Sequence, residues 1–522
     1  MRFKKFFSNK FLTLTINFFK NILNEFNFII EFCLSIALAI FSFNIFYFKK
    51  YAGYFDKINL IFTFIFVILI AFLIYYDVKR IGWKVERTFL YLAIPISIIY
   101  SVFLLPGNVP DERLHFFRAY SISDGNLITN IQTQKEAIPG DIMSMRDYKL
   151  DTYDQYKAII GEKTNYTSEI REEYNPAGGY PFIMYVFPSI AIIIGKILGL
   201  NIYLVFNLAR IFNIIFFLIC GYYSIKYIPF GKLIVFAFLL NPLMIQEAAS
   251  VASDAFINAT TILFISFSIY LMFLKREIIL SEKIIYIALI IAISFAKYIY
   301  FPLSFISILL FWSKGFKEKK NKIFIILTLI LSVILGFLSY YIGTLYEDVR
   351  PYVLDNNISS KGQIEFILNN PLGFVKVLIR NLYLNGETYN YQLWGGSLGF
   401  LEINNRGILV YMYLFILIFS AFLEKSEISL SKLQKVYILM ICFGIGVLVF
   451  AGLYLTWTPV GHNLIDGIQG RYFIPVMLLP FLCLIMKNKY ISFEKKNVIK
   501  FIGAFLIFYN CITMLNIIRF FS

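Results

Sequence analysis

The chain is poor in the residues that most soluble enzymes use for chemistry. Its 522 residues include two histidines, five cysteines and four tryptophans, and 15% are charged. No Walker loop, no H-E-x-x-H and no C-x-x-C occurs, which argues against ATP hydrolysis, zinc proteolysis and thiol redox chemistry. Cys33, Cys220, Cys442, Cys483 and Cys511 all lie in apolar runs without metal-like spacing, and read as small buried hydrophobes. There is no internal repeat and no low-complexity tract. No water-soluble domain of ordinary size separates the apolar runs.

What is abundant is apolar surface. Hydrophobic residues make up 59% of the chain, and mean hydropathy is +0.71. Runs of spanning length recur throughout, so this is an integral membrane protein of all-α class. The net charge of +16 does not point to nucleic acid, because much of the Lys and Arg sits in short loops between apolar runs. That distribution sets topology in a bilayer.

Residues 1–26 alternate Phe, Leu and Ile with Lys and Asn, as an interfacial amphipathic segment does. Spans are expected near 27–48, 58–76, 89–105, 202–223, 233–249, 255–274, 284–297, 299–313, 323–343, 407–423, 436–456, 471–486 and 501–519. Two polar stretches interrupt them, at 106–181 and 344–405, and loops of that length are usually functional or disordered. Segment 182–199 is apolar but is not expected to cross. If it did, the lysine runs at 314–322 and 487–500 would face outward, against the positive-inside rule. The expectation is about 13 crossings with a basic cytoplasmic N-terminus. Residues 1–88 are expected to form an N-terminal amphipathic segment and helix pair, and 89–522 the main membrane module.

This topology gathers the unusual polar residues on one face. Pro110-Asp111-Glu112-Arg113-Leu114-His115-Phe116-Phe117-Arg118-Ala119-Tyr120 follows an apolar helix. In a helix, Asp111, His115 and Arg118 share a face. An acid, an imidazole and a guanidinium there suit proton abstraction and phosphate binding. The bland alternative is a solvated helix start with Asp111 as its cap. Asp254 closes Ser250-Val251-Ala252-Ser253-Asp254 and fits either a cap or, with Asp111, a magnesium or manganese ligand. Arg210 and Lys297 sit at membrane-edge positions, where charge is costly unless used or snorkelling. Trp394-Gly395-Gly396-Ser397-Leu398-Gly399 reads as a glycine-rich turn, not a serine-nucleophile elbow. Gln469-Gly470-Arg471-Tyr472 opens a span, and an Arg beside free helix N–H groups suits a phosphate. The four tryptophans read as interfacial belt residues.

Taken together, P-D-E-x-x-H-F-x-R-A-Y, S-x-x-S-D, Lys297-x-x-Tyr300, G-G-S-L-G and Q-G-R-Y-x-x-P resemble a bacterial family of predicted membrane proteins of unknown function. That family is similar in layout to the GT-C glycosyltransferases, and the likeness runs from about residue 89 to 486. The resemblance implies a many-helix enzyme of the bacterial plasma membrane, working at its outer face. It implies inverting transfer of a sugar from a polyprenyl-phosphate donor to a cell-envelope glycan or lipid acceptor. Asp111 or Glu112 would then be the acceptor base, and His115 and Arg118 would orient it or bind substrate. Arg210, Lys297 and Arg471, flanked by Gln469 and Tyr472, would hold the lipid phosphate. Segment 182–199 matches an interfacial helix, and Asp254 a second outer acid that some GT-C members use for metal. A flippase for lipid-linked glycans and a polysaccharide polymerase are the alternatives. The polar groups lie on one face rather than at the midplane, and no matching halves are visible, which weighs against a transporter.

Overall fold

A computed structural model describes residues 31, 33–40, 55–80, 82–130, 135–147, 150–345, 358–424, 426–487 and 494–522. The amphipathic segment 1–26 and most of the expected span 27–48 lie outside the described residues. The elements run α1 (Phe55–Arg80), α2 (Val85–Phe103), α3 (Glu112–Ser123), β1 (Lys135–Pro139), α4 (Gly140–Asp147), α5 (Tyr153–Ile160), β2 (Ile170–Tyr174), α6 (Val186–Ile197), α7 (Ile202–Tyr227), α8 (Lys232–Leu239), α9 (Pro242–Ala248), α10 (Ser253–Met272) and α11 (Leu280–Ala296). A 3₁₀ segment (Tyr298–Trp312) precedes α12 (Lys319–Thr344), α13 (Ser360–Asn369), α14 (Pro371–Leu393), β3 (Ser397–Leu398), β4 (Ile403–Asn404), α15 (Gly407–Leu423) and α16 (Lys432–Thr456). A 3₁₀ turn (Gly470–Phe473) then leads into α17 (Ile474–Leu484), and α18 (Lys495–Phe521) closes the chain.

Among the described residues, six helices are long and apolar enough to cross a membrane: Val85–Phe103, Ile202–Tyr227, Ser253–Met272, Lys319–Thr344, Lys432–Thr456 and Lys496–Phe521. Shorter apolar helices cover Phe182–Ile197, Tyr298–Trp312, Gly407–Leu423 and Gly470–Leu484. The expected crossing at 233–249 is broken into α8 and α9. Pro242 has no N–H to continue a helix, and the Asn241 side chain caps the second piece by accepting from Leu243 N at 2.9 Å. The 299–313 run is a 3₁₀ helix with Pro302 inside it. At about 2 Å per residue it reaches about 30 Å, where an α-helix of equal length would reach about 22 Å.

The long helix α7 is the hub, packed against α2, α6 and α10. Close approach depends on small residues. A Cβ on Gly221 of α7 would sit 2.6 Å from the Phe89 ring of α2, and one on Gly195 of α6 would sit 2.5 Å from Val205.

The stretch 106–181 is not a loose loop. It folds into a cap of α3, α4, α5 and the antiparallel β1–β2 pair, register Lys135 to Tyr174. Asn108 Nδ2 donates to Leu150 O at 2.8 Å, and Tyr153 OH donates to Phe103 O at 3.0 Å, so the cap is tied to the end of α2. α6 rests against α3, with Ser189 Oγ donating to Ala119 O at 2.8 Å and Lys196 paired with Asp124 at 2.7 Å. The second polar stretch is mostly helical as well, through α13 and α14. Their apolar sides form a separate small core with Phe450, Tyr454, Ile465 and Ile468.

The expected belt role of Trp394 does not hold. It is among the most deeply buried side chains, packed on Phe238, Tyr413 and Phe481. The tight turn at Gly395 draws the ring inward, and its indole N–H is satisfied by Asn390 Oδ1 at 2.8 Å.

Candidate functional site

The end of α2, the starts of α3 and α10, the end of α11, the end of α14 and the turn before α17 converge. The polar motifs, scattered over more than 360 positions of sequence, meet there. At the base lies a closed ion pair. Arg210 of α7 and Glu112 of α3 are both fully buried. Arg210 Nε donates to Glu112 Oε1 at 2.8 Å and Nη2 to Oε2 at 2.7 Å, a bidentate fork. The remaining guanidinium hydrogens go to carbonyls of Ser101, Leu104 and Leu105 at the end of α2. Glu112 also accepts from Gly107 N at 3.1 Å and from Val251 N at 3.0 Å. This pair pins four chain segments at one point. Its donors and acceptors are spent on protein groups, so Arg210 is not placed to hold a phosphate, nor Glu112 to take an acceptor proton.

Asp111 stands next to that pair and differs from it in every respect. It adopts left-handed backbone, φ 63°, and makes no side-chain cap bond. An L-residue other than Asn, Asp or Gly rarely tolerates that region. The twist throws the carboxylate off the helix face and outward, where its side chain is 52% exposed. Asp111 occupies the N-cap position, but its side chain makes no cap bond, and as a left-handed residue ahead of the helix it does not continue the face of His115 and Arg118.

Arg471 reaches Asp111 from the turn before α17. Its Nη2 donates to Asp111 Oδ2 at 2.7 Å and its Nη1 to Pro110 O at 3.1 Å. The same guanidinium approaches Asp254 Oδ2 at 3.4 Å. Lys297 Nζ donates to Asp254 Oδ1 at 3.0 Å. Acid and base therefore alternate as Asp111, Arg471, Asp254, Lys297, with Asp111 the exposed member. Asp254 lies in the first turn of α10 and uses both oxygens on cations, so it does not cap its helix. Tyr180 and Tyr472 flank the string: Lys297 stands 5.6 Å and 5.8 Å from their ring centres, and Arg471 stands 5.2 Å from that of Tyr472.

These residues do not fit a divalent metal. The two carboxylates are bridged by a guanidinium and neutralised by an ammonium, where a metal needs converging free oxygens. Among the described residues no group of three His, Cys, Asp or Glu side chains converges on one point.

His115 is buried behind Asp111, its Nδ1 2.7 Å from Tyr185 OH. Its ring lies 5.5 Å from that of Tyr180. Burial pushes its pKa down to about 4, against the pull of Asp111 and Asp254. Asp111 is lowered from the usual range: burial works against its charge, but Arg471 and His115 outweigh that. Arg118 sits a layer further back. Its guanidinium donates to Asn126 O at 3.1 Å and Leu127 O at 2.7 Å and pairs with buried Glu136 at 3.5 Å.

The neutral state of His115 has a measurable consequence. The unfolded histidine protonates near 6.5 and the native one near 4, so native stability is full above about 6.5 and is lost as pH falls from about 6.5 toward 4. Thermal melting of the detergent-solubilised protein should therefore drop across that window, and drop less in His115→Gln. An equal drop in both would mean that other groups carry the effect.

The glycine-rich turn and the Q-G-R-Y segment support Arg471. Gly470 N donates to Gln392 Oε1 at 2.8 Å, and Gly399 N to Gln246 Oε1 at 2.7 Å. A Cβ on Gly470 would lie 2.6 Å from the backbone of Leu393 and Tyr389, so only glycine lets the turn approach α14 this closely. Although Gly395–Gly399 matches the letters G-x-S-x-G, Ser397 is no nucleophile elbow. It sits on the two-residue strand β3 and donates to Asn404 Oδ1 at 2.8 Å. Behind Arg471 is a small recess of about 10 Å³, room for about one water, lined by Gln246, Glu247, Gln392, Ser397 and Gln469 among others. Among the described residues, Glu247 Oε2, Gln469 Oε1 and Arg471 Nε have no hydrogen-bond partner. His462 stays apart with Asp466, 3.8 Å away.

Sequence reasoning did not pick out Tyr180, Tyr185 or Gln392. No motif marks them, and their roles arise only from where α6 and α14 dock.

Residues 94–479 match the model of a family described as predicted membrane protein (DUF2142). No curated protein and no solved structure matches the chain. The match covers well over half of the sequence, and the chain belongs to that family.

Proposed function

We propose that this member of the DUF2142 family is a membrane glycosyltransferase of GT-C type. It moves a sugar from a polyprenyl-phosphate donor to a cell-envelope glycan or lipid acceptor, at the outer face of a bacterial plasma membrane. The observation that carries this reading is the pairing of one exposed, ionised acid, Asp111, with two enclosed cations, Arg471 and Lys297, at the ends of apolar helices.

Asp111 takes the proton of the acceptor hydroxyl as its oxygen attacks the anomeric carbon. The bond from that carbon to the phosphate oxygen breaks with its electron pair, and polyprenyl phosphate leaves from the opposite side, inverting the centre. Arg471 and Lys297 meet the charge that grows on the departing phosphate, where fixed cations in a dry site act most strongly. Arg471 exchanges part of its hold on Asp111 for that phosphate. Tyr180 and Tyr472 offer ring faces to the sugar. Glu112 and Arg210 are positioning residues: they fix the backbone on which Asp111 and Asp254 stand.

The test is the surface glycan of a deletion strain, with and without the wild-type gene. A transferase loss removes one sugar, and wild type restores it. Uniformly shortened glycans would favour a polymerase instead. Intact lipid-linked glycan accumulating on the cytoplasmic side would favour a flippase.

A further inference from the structure

Helix α14 falls in a stretch that reads as polar loop, yet its outer face is apolar. Leu372 is 74% exposed, Ile379 62% and Tyr383 86%, with Leu382 beside them. At 100° per residue these four side chains fall within an arc of about 100°. Lys376 and Arg380 follow along one border of that arc, both exposed and without an ion pair among the described residues. The opposite face is committed to protein. Val377 and Asn381 are buried, and Asn381 Nδ2 donates to Ile465 O at 3.1 Å.

The orientation of α14 follows from two ring contacts with α16. Phe374 stacks on Tyr454 at 5.4 Å, and Tyr389 meets Phe450 edge-on at 6.2 Å. Those contacts lie about 22 Å apart along α14 but only about 6 Å apart along α16, at 1.5 Å per residue. α14 therefore lies across α16, a helix long and apolar enough to span. A helix crossing a spanning helix near its end runs close to the membrane plane.

We propose that α14 is an interfacial helix, its outer face resting in the headgroup–acyl boundary of the leaflet beside the candidate site, with Lys376 and Arg380 against anionic phospholipid headgroups. A basic amphipathic helix in the membrane plane buries its apolar side about 5–10 Å below the headgroups. A second copy of the chain fits less well. A two-fold contact through this face would bring two sets of Lys376 and Arg380 into one small interface, and the acid on that border, Glu387, is already engaged by Tyr411 OH at 3.1 Å. The helix also ends on the site, since Gln392 holds Gly470 N. Lipid contact along α14 is thus linked mechanically to Arg471, whatever reaction runs there.

The experiment uses the full chain in nanodiscs carrying phospholipid brominated near the glycerol end of the acyl chain. Tryptophan is placed at Ile379→Trp and, as a milder change, at Tyr383→Trp. Thr388→Trp, also exposed but off the apolar arc, is the reference, and wild-type emission is subtracted. The proposal expects the added emission at 379 and 383 to be quenched about twofold more than at 388, from the shallow burial of such helices. It expects quenching to weaken when phosphatidylglycerol is replaced by phosphatidylcholine, and that dependence to vanish in Lys376→Gln/Arg380→Gln. Equal quenching at all three positions overturns it. So does quenching by aqueous iodide rather than bromine, which would place the face in water. Shielding from both quenchers would mean that protein covers the face, and overturns it equally.

Discussion

Alanine in place of Arg210 should cost about 3–5 kcal/mol, the range for leaving one partner of a buried ion pair uncompensated. Its removal strands Glu112, which is fully buried and was held by a bidentate fork. It also releases the carbonyls of Ser101, Leu104 and Leu105, which lose their donors together. Arg210→Lys should fare little better, because a point ammonium cannot reproduce the fork or reach three carbonyls. The informative control is the double replacement Glu112→Leu/Arg210→Met. A hydrophobic pair of similar volume removes both charges at once and should recover only the part of the loss due to the stranded charge, because the carbonyls of α2 and the N–H groups of Gly107 and Val251 still lose their partners. Thermal melting in detergent, with the amount of membrane-inserted protein, measures this. If Arg210→Ala melts at the wild-type temperature, the pair is not the joint that the geometry describes.

Asp111→Asn should have the opposite signature, with a folded protein and a lost activity. The side chain is half exposed, and asparagine tolerates left-handed backbone as well as aspartate does. Arg471 keeps Asp254 as a counter-charge. Stability should therefore change by less than about 1 kcal/mol, as for exposed ion pairs. Loss of a general base lowers rate by about 10²–10⁴-fold. In a complemented deletion strain, Asp111→Asn at wild-type abundance should fail to restore the missing sugar. Restoration at wild-type level would remove Asp111 as the base and, with it, the transfer mechanism. A collapse in abundance would instead assign Asp111 a structural role.

The contrast between these two neighbours shows what sequence could and could not convey. Asp111 and Glu112 are adjacent carboxylates in one motif, and nothing local separates their roles. The left-handed turn at Asp111 sends one outward, while the helix that begins at Glu112 sends the other toward Arg210, 98 positions on. The pairing of Asp254 with Lys297 and Arg471 was equally hidden, so a cap or a metal ligand were the natural readings of an acid at a helix start. Trp394 looked interfacial because tryptophans near span ends usually are, and only the packing of Phe238, Tyr413 and Phe481 around it made it core.

By itself the sequence determined that this is a membrane protein of many helices, where most apolar helices begin and end, and which short motifs carry the unusual polar residues. Those properties depend on the transfer free energy of contiguous segments and on local helix rules, both of which are written in neighbouring residues. The tertiary structure decided which acid is buried and which is exposed, that the cations face the acids, that the first polar stretch is a folded cap, and that the second carries a helix lying across the bundle. Those outcomes depend on contacts between side chains hundreds of positions apart, such as Arg471 with Asp111. Such contacts exist only once the helices have docked and desolvated the charges between them.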